Sequence, residues 1–176
     1  MQLGNSTHFS LDEMSNTLNV LAGGRVNPQL GVHDQDGDSE FNQSFALSTH
    51  TSFSKASEMR FALEHQNQFV TGTVSGTGGI YPTTQYSYLD ITDPDVLLWS
   101  LKPAEEGYAS RGIIIRTWNL GEDASTGNIR VNNKITEAIE TSHVETDLKT
   151  CSFSGSNLNF NIPAQGMSTY RLKVSP

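Results

Sequence analysis

A single cysteine, Cys151, stands among 176 residues. It can form no disulfide within the chain and no cysteine-built zinc site. Its stretch is polar, with no cationic neighbour to draw off the thiol proton, so an inert thiol is expected rather than a nucleophile. Charged residues are also scarce, at 17%, and the acids outnumber the bases to leave a net charge of −8. A phosphate backbone would be repelled, and no basic patch offsets this, which excludes nucleic-acid binding. No apolar run approaches the ~18 residues of a membrane-spanning helix. The opening residues lack the charged-then-apolar order of a secretion signal. Five histidines are present, but none recurs in the H-x-x-x-H or H-E-x-x-H spacing that holds zinc. No nucleophile–base pair or phosphate-cradling loop stands out.

What fills the chain instead is Ser, Thr, Asn, Gln and 15 Gly, with only 35% hydrophobic residues. Short strands joined by polar turns have this composition. The length suits one domain or two small ones, and a chain near this size hides roughly 70% of its unfolded surface.

The stretch VLLWSLKPAEEGYASRGIIIRTWN, from Val96 to Asn119, organises the rest. Its two apolar runs, Val96–Leu101 and Ile113–Trp118, are rich in branched aliphatics and carry one tryptophan each, which suits strands. A period of two sets Leu97, Trp99 and Leu101 on one face, against Val96, Leu98 and Ser100. In the second run Ile113, Ile115 and Thr117 alternate with Ile114, Arg116 and Trp118. Both faces are largely apolar, so the hairpin is expected at the centre of a sheet covered on both sides. Pro103 and Gly107 supply turn geometry between the runs.

Elsewhere, Leu18, Val20 and Ala22 alternate up to a Gly23-Gly24 turn, and Phe41–His50 reads as a half-buried strand. Ser54–Gln66 is the one place where helical period wins. Ala56, Met59, Ala62 and Leu63 recur on one face, with Ser54 as N-cap, while a strand carrying on into FALEH is the competing reading. Phe69–Val74 reads as a strand, and the Gly/Thr/Ser-rich segment at 72–79 as a domain boundary, giving residues 1–79 and 80–176. Beyond it, strands are expected at Tyr86–Ile91, Asn128–Asn132, Val144–Leu148, Leu158–Ile162 and Ser168–Val174. Lys134–Ser142 fits a helical turn or a strand. The pattern predicts an all-β chain of antiparallel β-sandwiches, with Greek-key-like short strands and at most one short helix.

Several residues invite chemistry. Asp34, Asp36, Asp38 and Glu40 place oxygen ligands at alternate positions, as a hard cation needs. An EF-hand would require glycine and glutamate where Ser39 and Phe45 stand, so that template fails. A solvated acidic turn competes with a cation contact. His33 with Asp34, and Glu64 with His65, suggest acid–base work, but neighbours on a strand point to opposite faces, favouring structural roles. Tyr86 and Tyr88, two apart, are the better candidates for stacking on a sugar ring; Tyr81 and Trp118 are further aromatics, and Trp99 is expected in the core. Arg116, among isoleucines, is expected to pair with a buried carboxylate or carbonyls, most simply as an ion pair. The sequons at Asn5 and Asn42 arise by chance in so Asn/Ser/Thr-rich a chain.

LKPAEEG followed by GIIIRTWN also carries a resemblance. It is similar to the C-terminal region of glycoside hydrolase family 38 α-mannosidases, where a lysine-proline strand end leads into a strand closing with arginine, an aromatic and asparagine. Leu30-Gly31-Val32 with Asp34–Asp38, then FALEHQN at Phe61–Asn67, Thr146-Asp147-Leu148, and STYRLKV at Ser168–Val174 follow in the same order. The likeness spans about Val20 to the end. It implies a non-catalytic C-terminal portion of an enzyme that removes terminal α-linked mannose with retention, using zinc and an aspartate nucleophile. Those groups belong to an N-terminal catalytic domain, and nothing in this sequence matches them. Residues 1–79 would then contribute to the large sandwich behind that domain, and 80–176 would form the terminal sandwich. The implied partners are that catalytic domain and, through it, a mannose-containing glycan. Two other readings are an independent carbohydrate-binding module and a structural or assembly domain without sugar affinity.

Overall fold

The computed structural model describes residues 2–3, 9–12, 14, 17–20, 29, 45–73, 75–76, 79 and 84–175. His33, Asp34, Asp36, Asp38, Glu40, Tyr81, the sequon residues Asn5 and Asn42, and the turn at 23–24 lie outside the described residues. Two compact units are present. One comprises Met1–Ser52 with Phe61–Val70, the other Phe53–Arg60 with Thr71–Pro176.

In the first unit β1 (Gln2–Leu3) pairs antiparallel with β4 (Phe45–Ala46). The hairpin β2 (Phe9–Asp12) and β3 (Thr17–Val20) sets Leu11 opposite Leu18. The strand expected over residues 41–50 is thus short: of its described part, only Phe45–Ala46 pairs.

Helix α1 spans Lys55–Gln66. Its start obeys the capping rule, since the Ser57 amide donates to Ser54 Oγ at 3.2 Å and satisfies an N–H that has no partner within the helix. The strand expected at Phe69–Val74 is absent through its described residues. Phe69 and Val70 are exposed there, Val70 fully, and the backbone runs irregularly. An apolar run becomes a strand only where a neighbour takes its N–H and C=O groups.

The second unit holds the sandwich. A five-stranded antiparallel sheet has the order β10 (Asp147–Thr150), β9 (Ile135–Thr141), β13 (Met167–Val174), β7 (Ile113–Asn119), β6 (Val96–Pro103). A four-stranded sheet runs β11 (Phe153–Ser154), β12 (Asn157–Ile162), β8 (Ser125–Val131), β5 (Leu89–Ile91). The chain passes between sheets after β5, β7, β8, β10 and β12, in Greek-key-like fashion. The stretch at 134–142, open between helix and strand, is β9.

The core lies between the sheets and draws on both: Ile113, Ile115, Tyr170 and Leu172 from one, Ile129, Leu158, Phe160 and Ile162 from the other. Strand β12, NLNFNI, shows the cause plainly. Its asparagines are exposed while Leu158, Phe160 and Ile162 are buried, as period two requires of a strand wet on one face. At the end of β7 the buried Asn119 amide donates to the carbonyls of Asp123 at 2.8 Å and Pro163 at 3.0 Å, tying that strand to the β12–β13 turn.

The central hairpin departs from expectation on one strand. Strand β7 lies inside the sheet, but its outer-face residues Arg116 and Trp118 are only half-buried, and β6 is the edge strand. Proline lacks the N–H that a second neighbour would need, so Pro103 suits an edge. A register shift between Leu98 and Ser100 also breaks the simple alternation. Leu97 and Ser100 therefore face with Trp118 and Arg116, while Leu98 and Leu101 face with Thr117 and Ile115. Trp99, expected in the core, occupies the irregularity and is 45% exposed. Its ring meets Trp118 edge-on at 5.4 Å between centroids.

Candidate functional site

The sequence-predicted site residues do not converge. Tyr86 is exposed, whereas Tyr88 is half-buried and packs against the core; the strand begins only at Leu89. Glu64 and His65 are neighbours on α1, not on a strand. Among the described residues no three His, Cys, Asp or Glu side chains come together as a metal site.

On the outer face of the five-stranded sheet a polar network replaces an apolar cover. Arg116 donates to the His143 carbonyl at 2.6 Å, so its partner is a carbonyl, and among the described residues the expected ion pair is not made there. An arginine buried within the sheet and paired with a carboxylate is found at Arg171 instead. Its guanidinium grips both oxygens of Asp147, one at 2.8 Å, and Glu137 stands at 3.7 Å. Arg111 adds a contact to Asp147 at 3.3 Å. Lys102 pairs with Glu145, whose other oxygen accepts the Glu105 amide at 2.8 Å. Glu145 adopts a positive φ of 64°, so the β9–β10 turn is held in a demanding conformation by these contacts.

Both carboxyls sit below their ordinary values. The Arg171 guanidinium holds Asp147 down against the opposing effect of burial. At Glu145, burial pushes upward, but Lys102 and the Glu105 amide together outweigh it. A carboxyl with a depressed folded-state pKa stabilises the fold above its unfolded value and loses that contribution as pH falls through the folded one. Melting temperature is therefore expected to hold above about pH 5 and to fall steadily below it. In thermal melts Asp147→Asn should lower stability at neutral pH and flatten the acid slope. An unchanged slope in that variant would exclude Asp147 as a source of the acid sensitivity.

At the β10 edge a pocket of ≈ 300 Å³ opens between the two sheets, lined by Glu140, Lys149, Cys151, Asn159, Asn161 and Tyr170 among others. Lys149 and Glu140 face each other across the β10–β9 ladder and pair at 3.0 Å. Cys151, read from sequence as having no cationic neighbour, does have Lys149 close by. That ammonium is engaged by Glu140, and burial with the Glu140 charge pushes the thiol pKa up, so the thiol is inert for a different reason. Tyr170, only 1% exposed, reaches the pocket from the central part of the sheet. Burial pushes its phenol up to about 12. The Ser168 hydroxyl lies near enough to favour the phenolate slightly, yet no hydrogen bond of normal geometry reaches the Tyr170 oxygen.

Apart from Cys151, weighed and set aside as a nucleophile, none of the pocket residues stood out in the sequence as a site. Tyr170 sits in a strand pattern, and Glu140, Lys149 and Asn161 come from three strands. Only the pairing β13–β9–β10 and the stacking of β12 opposite bring them to one place. No family model matches the chain, and no curated protein matches it.

Proposed function

We propose that this chain is a non-catalytic β-sandwich portion of a larger α-mannosidase-like protein and that it supports the catalytic domain of that protein. The observation that supports this most is the β6 edge. Leu98, Trp99 and Leu101 are 38%, 45% and 42% exposed on one edge strand, with Met167 similarly exposed on β13. Leu98 and Leu101 point to the same side as the core residues of β7, beyond the cover that the smaller sheet supplies. A long apolar edge strand is a liability unless more protein covers it. The catalytic domain of the same parent chain is the occupant this reading names. The Lys102–Gly107 segment, which carries the resemblance, leads directly from this edge.

The supporting role is mechanical: burying apolar surface against the neighbour and fixing its orientation. Two measurements test it. The isolated chain should show no turnover of a nitrophenyl α-mannoside, with or without added zinc. The reading frame around this sequence should encode a family 38-like catalytic domain that co-purifies with the chain when the two are expressed separately. Leu98→Asp with Leu101→Asp should abolish the association. Turnover by the chain alone, no such domain, or association indifferent to the two aspartates would sink the reading.

A further inference from the structure

The geometry points to a strand-addition site at the β5 edge. Its occupant is an extended segment of the neighbouring domain, basic at one end, which pairs with Leu89–Ile91 and covers Leu98 and Leu101 of β6. The identity of that neighbour rests on the proposed scaffold role, whereas the added strand and its charge rest on this chain alone.

The ladder between β5 and β8 fixes which backbone groups of β5 are open. The Asn132 amide donates to the Tyr88 carbonyl at 3.1 Å, and the Thr92 amide to the Asn128 carbonyl at 3.1 Å. Asp90 lies midway, opposite Arg130. Tyr88, Asp90 and Thr92 therefore bond β8, and the N–H and C=O groups of Leu89 and Ile91 point away from it. Strand β8 is the only sheet neighbour of β5 among the described residues. The Ser87 hydroxyl occupies the Leu89 carbonyl at 2.8 Å. The Leu89 amide and both groups of Ile91 are left as a short template for a further strand.

The unequal width of the sheets shows what such a strand would cover. Five strands face four, and β5 lies against β6. Only the start of β6 is covered: Val96 is buried, whereas Leu98 and Leu101, which also face inward, are exposed. A strand added to β5 widens the smaller sheet by about 4.8 Å on the side of these two leucines. The edge of β6 is itself a poorer template, because Pro103 brings no N–H and the register shift at Trp99 interrupts the ladder.

Charge selects among the possible occupants. Asp90 on β5 and Asp95 in the turn to β6 are exposed, and Asp95 lies beside Gly121, next to the exposed Glu122 and Asp123. Arg130 opposite Asp90 and Lys55 paired to Glu122 at 2.9 Å offset only part of this. A second copy would bring the same acids and the same net charge of −8, so self-pairing across this edge is opposed. A strand carrying lysine or arginine beside these acids is drawn in.

The test is a backbone-amide NMR titration of the chain with three capped peptides. One alternates valine with threonine and ends in lysines, the second ends in glutamates instead, and the third is the lysine peptide with alternate amides N-methylated. The lysine peptide should give saturable shifts at Leu89–Ile91 and at Leu98 and Leu101. The Leu89 and Ile91 amides should exchange with solvent quickly in the free chain and slowly in the complex, while Asp90 stays slow in both. The glutamate peptide should bind about fivefold or more weakly, as a few exposed charge pairs allow, and the methylated peptide not at all. Asp90→Lys should shrink the preference for lysine about two- to fivefold. No saturable binding of the lysine peptide, equal affinity for the other two, or rapid exchange of Leu89 and Ile91 in the complex would overturn the site. The same exchange measurement with the neighbouring domain separates the two proposals. Association that leaves Leu89 and Ile91 fast overturns the added strand and spares the scaffold role, whereas peptide binding without any domain association does the reverse.

Discussion

Gly112→Ala is expected to cost the sandwich at least about 3 kcal/mol, the upper range for backbone strain before any clash is counted. Gly112 has a φ of 86° and a ψ of −141°, a region that residues with a side chain rarely enter. A Cβ there would stand 2.0 Å from the Leu172 carbonyl oxygen, which belongs to the backbone of β13 and cannot rotate aside. Relief requires moving β13 off β7, at the end of the ladder where Leu172 lies opposite Ile113. It also disturbs the Ala104 amide bond to the Gly112 carbonyl at 3.0 Å. Gly107 provides the control. Its φ of 95° is equally unusual, but nothing lies within 4 Å of the position its Cβ would take. Gly107→Ala should therefore carry strain alone, about 1–2 kcal/mol. Urea denaturation of the two variants separates strain from clash, and equal losses would show that the close approach to Leu172 is not a real constraint.

Leu172→Ala is the second large effect, with an expected loss of about 3–4 kcal/mol within the range for buried leucines. Leu172 is fully buried between the sheets, with Ile113 and Ala138 opposite on its two neighbouring strands. Truncation leaves a cavity that both sheets border and neither can collapse into without losing register. Leu101 lies opposite Ile115 on the same sheet, yet it is 42% exposed. Leu101→Ala in the isolated chain should cost under about 1 kcal/mol, as for a partly solvated site. The pair also bears on the proposed function. When the neighbouring domain is present, the Leu101 variant should become markedly more damaging while the Leu172 variant changes little. Chemical-denaturation midpoints with and without that domain decide it, and a Leu101 cost that stays small in both cases counts against coverage of this edge.

Much of the architecture was legible in local pattern. The all-β sandwich, the turn-rich composition, the helix beginning after Ser54 and the strand at Asn157–Ile162 each rest on contacts within a few residues, or on a strict alternation that names one wet and one dry face. Misreadings arose where the pattern was ambiguous. The run at Phe69–Val74 is apolar enough for a strand but has no ladder partner through its described part. The doubly apolar Val96–Leu101 suggested a central strand, although Pro103 already argued for an edge. Arg116 and Arg171 look alike in sequence, each an arginine in an apolar strand. Which of them meets a carboxylate depends on where Asp147 arrives from another strand.

The chain's composition and periodicity by themselves determined that it folds as antiparallel sheets, which face of β12 turns inward, and where the helix starts. These are decided by spacing along the backbone, and every such spacing is written in the residue order. The tertiary structure alone decided that β6 is an edge, that Trp99 is pushed outward by a register shift, and that Glu140, Lys149, Asn161 and Tyr170 share one pocket. Each of these depends on which distant strands become neighbours, and pairing across dozens of residues is selected by the free energy of the whole packed core rather than by any stretch of it.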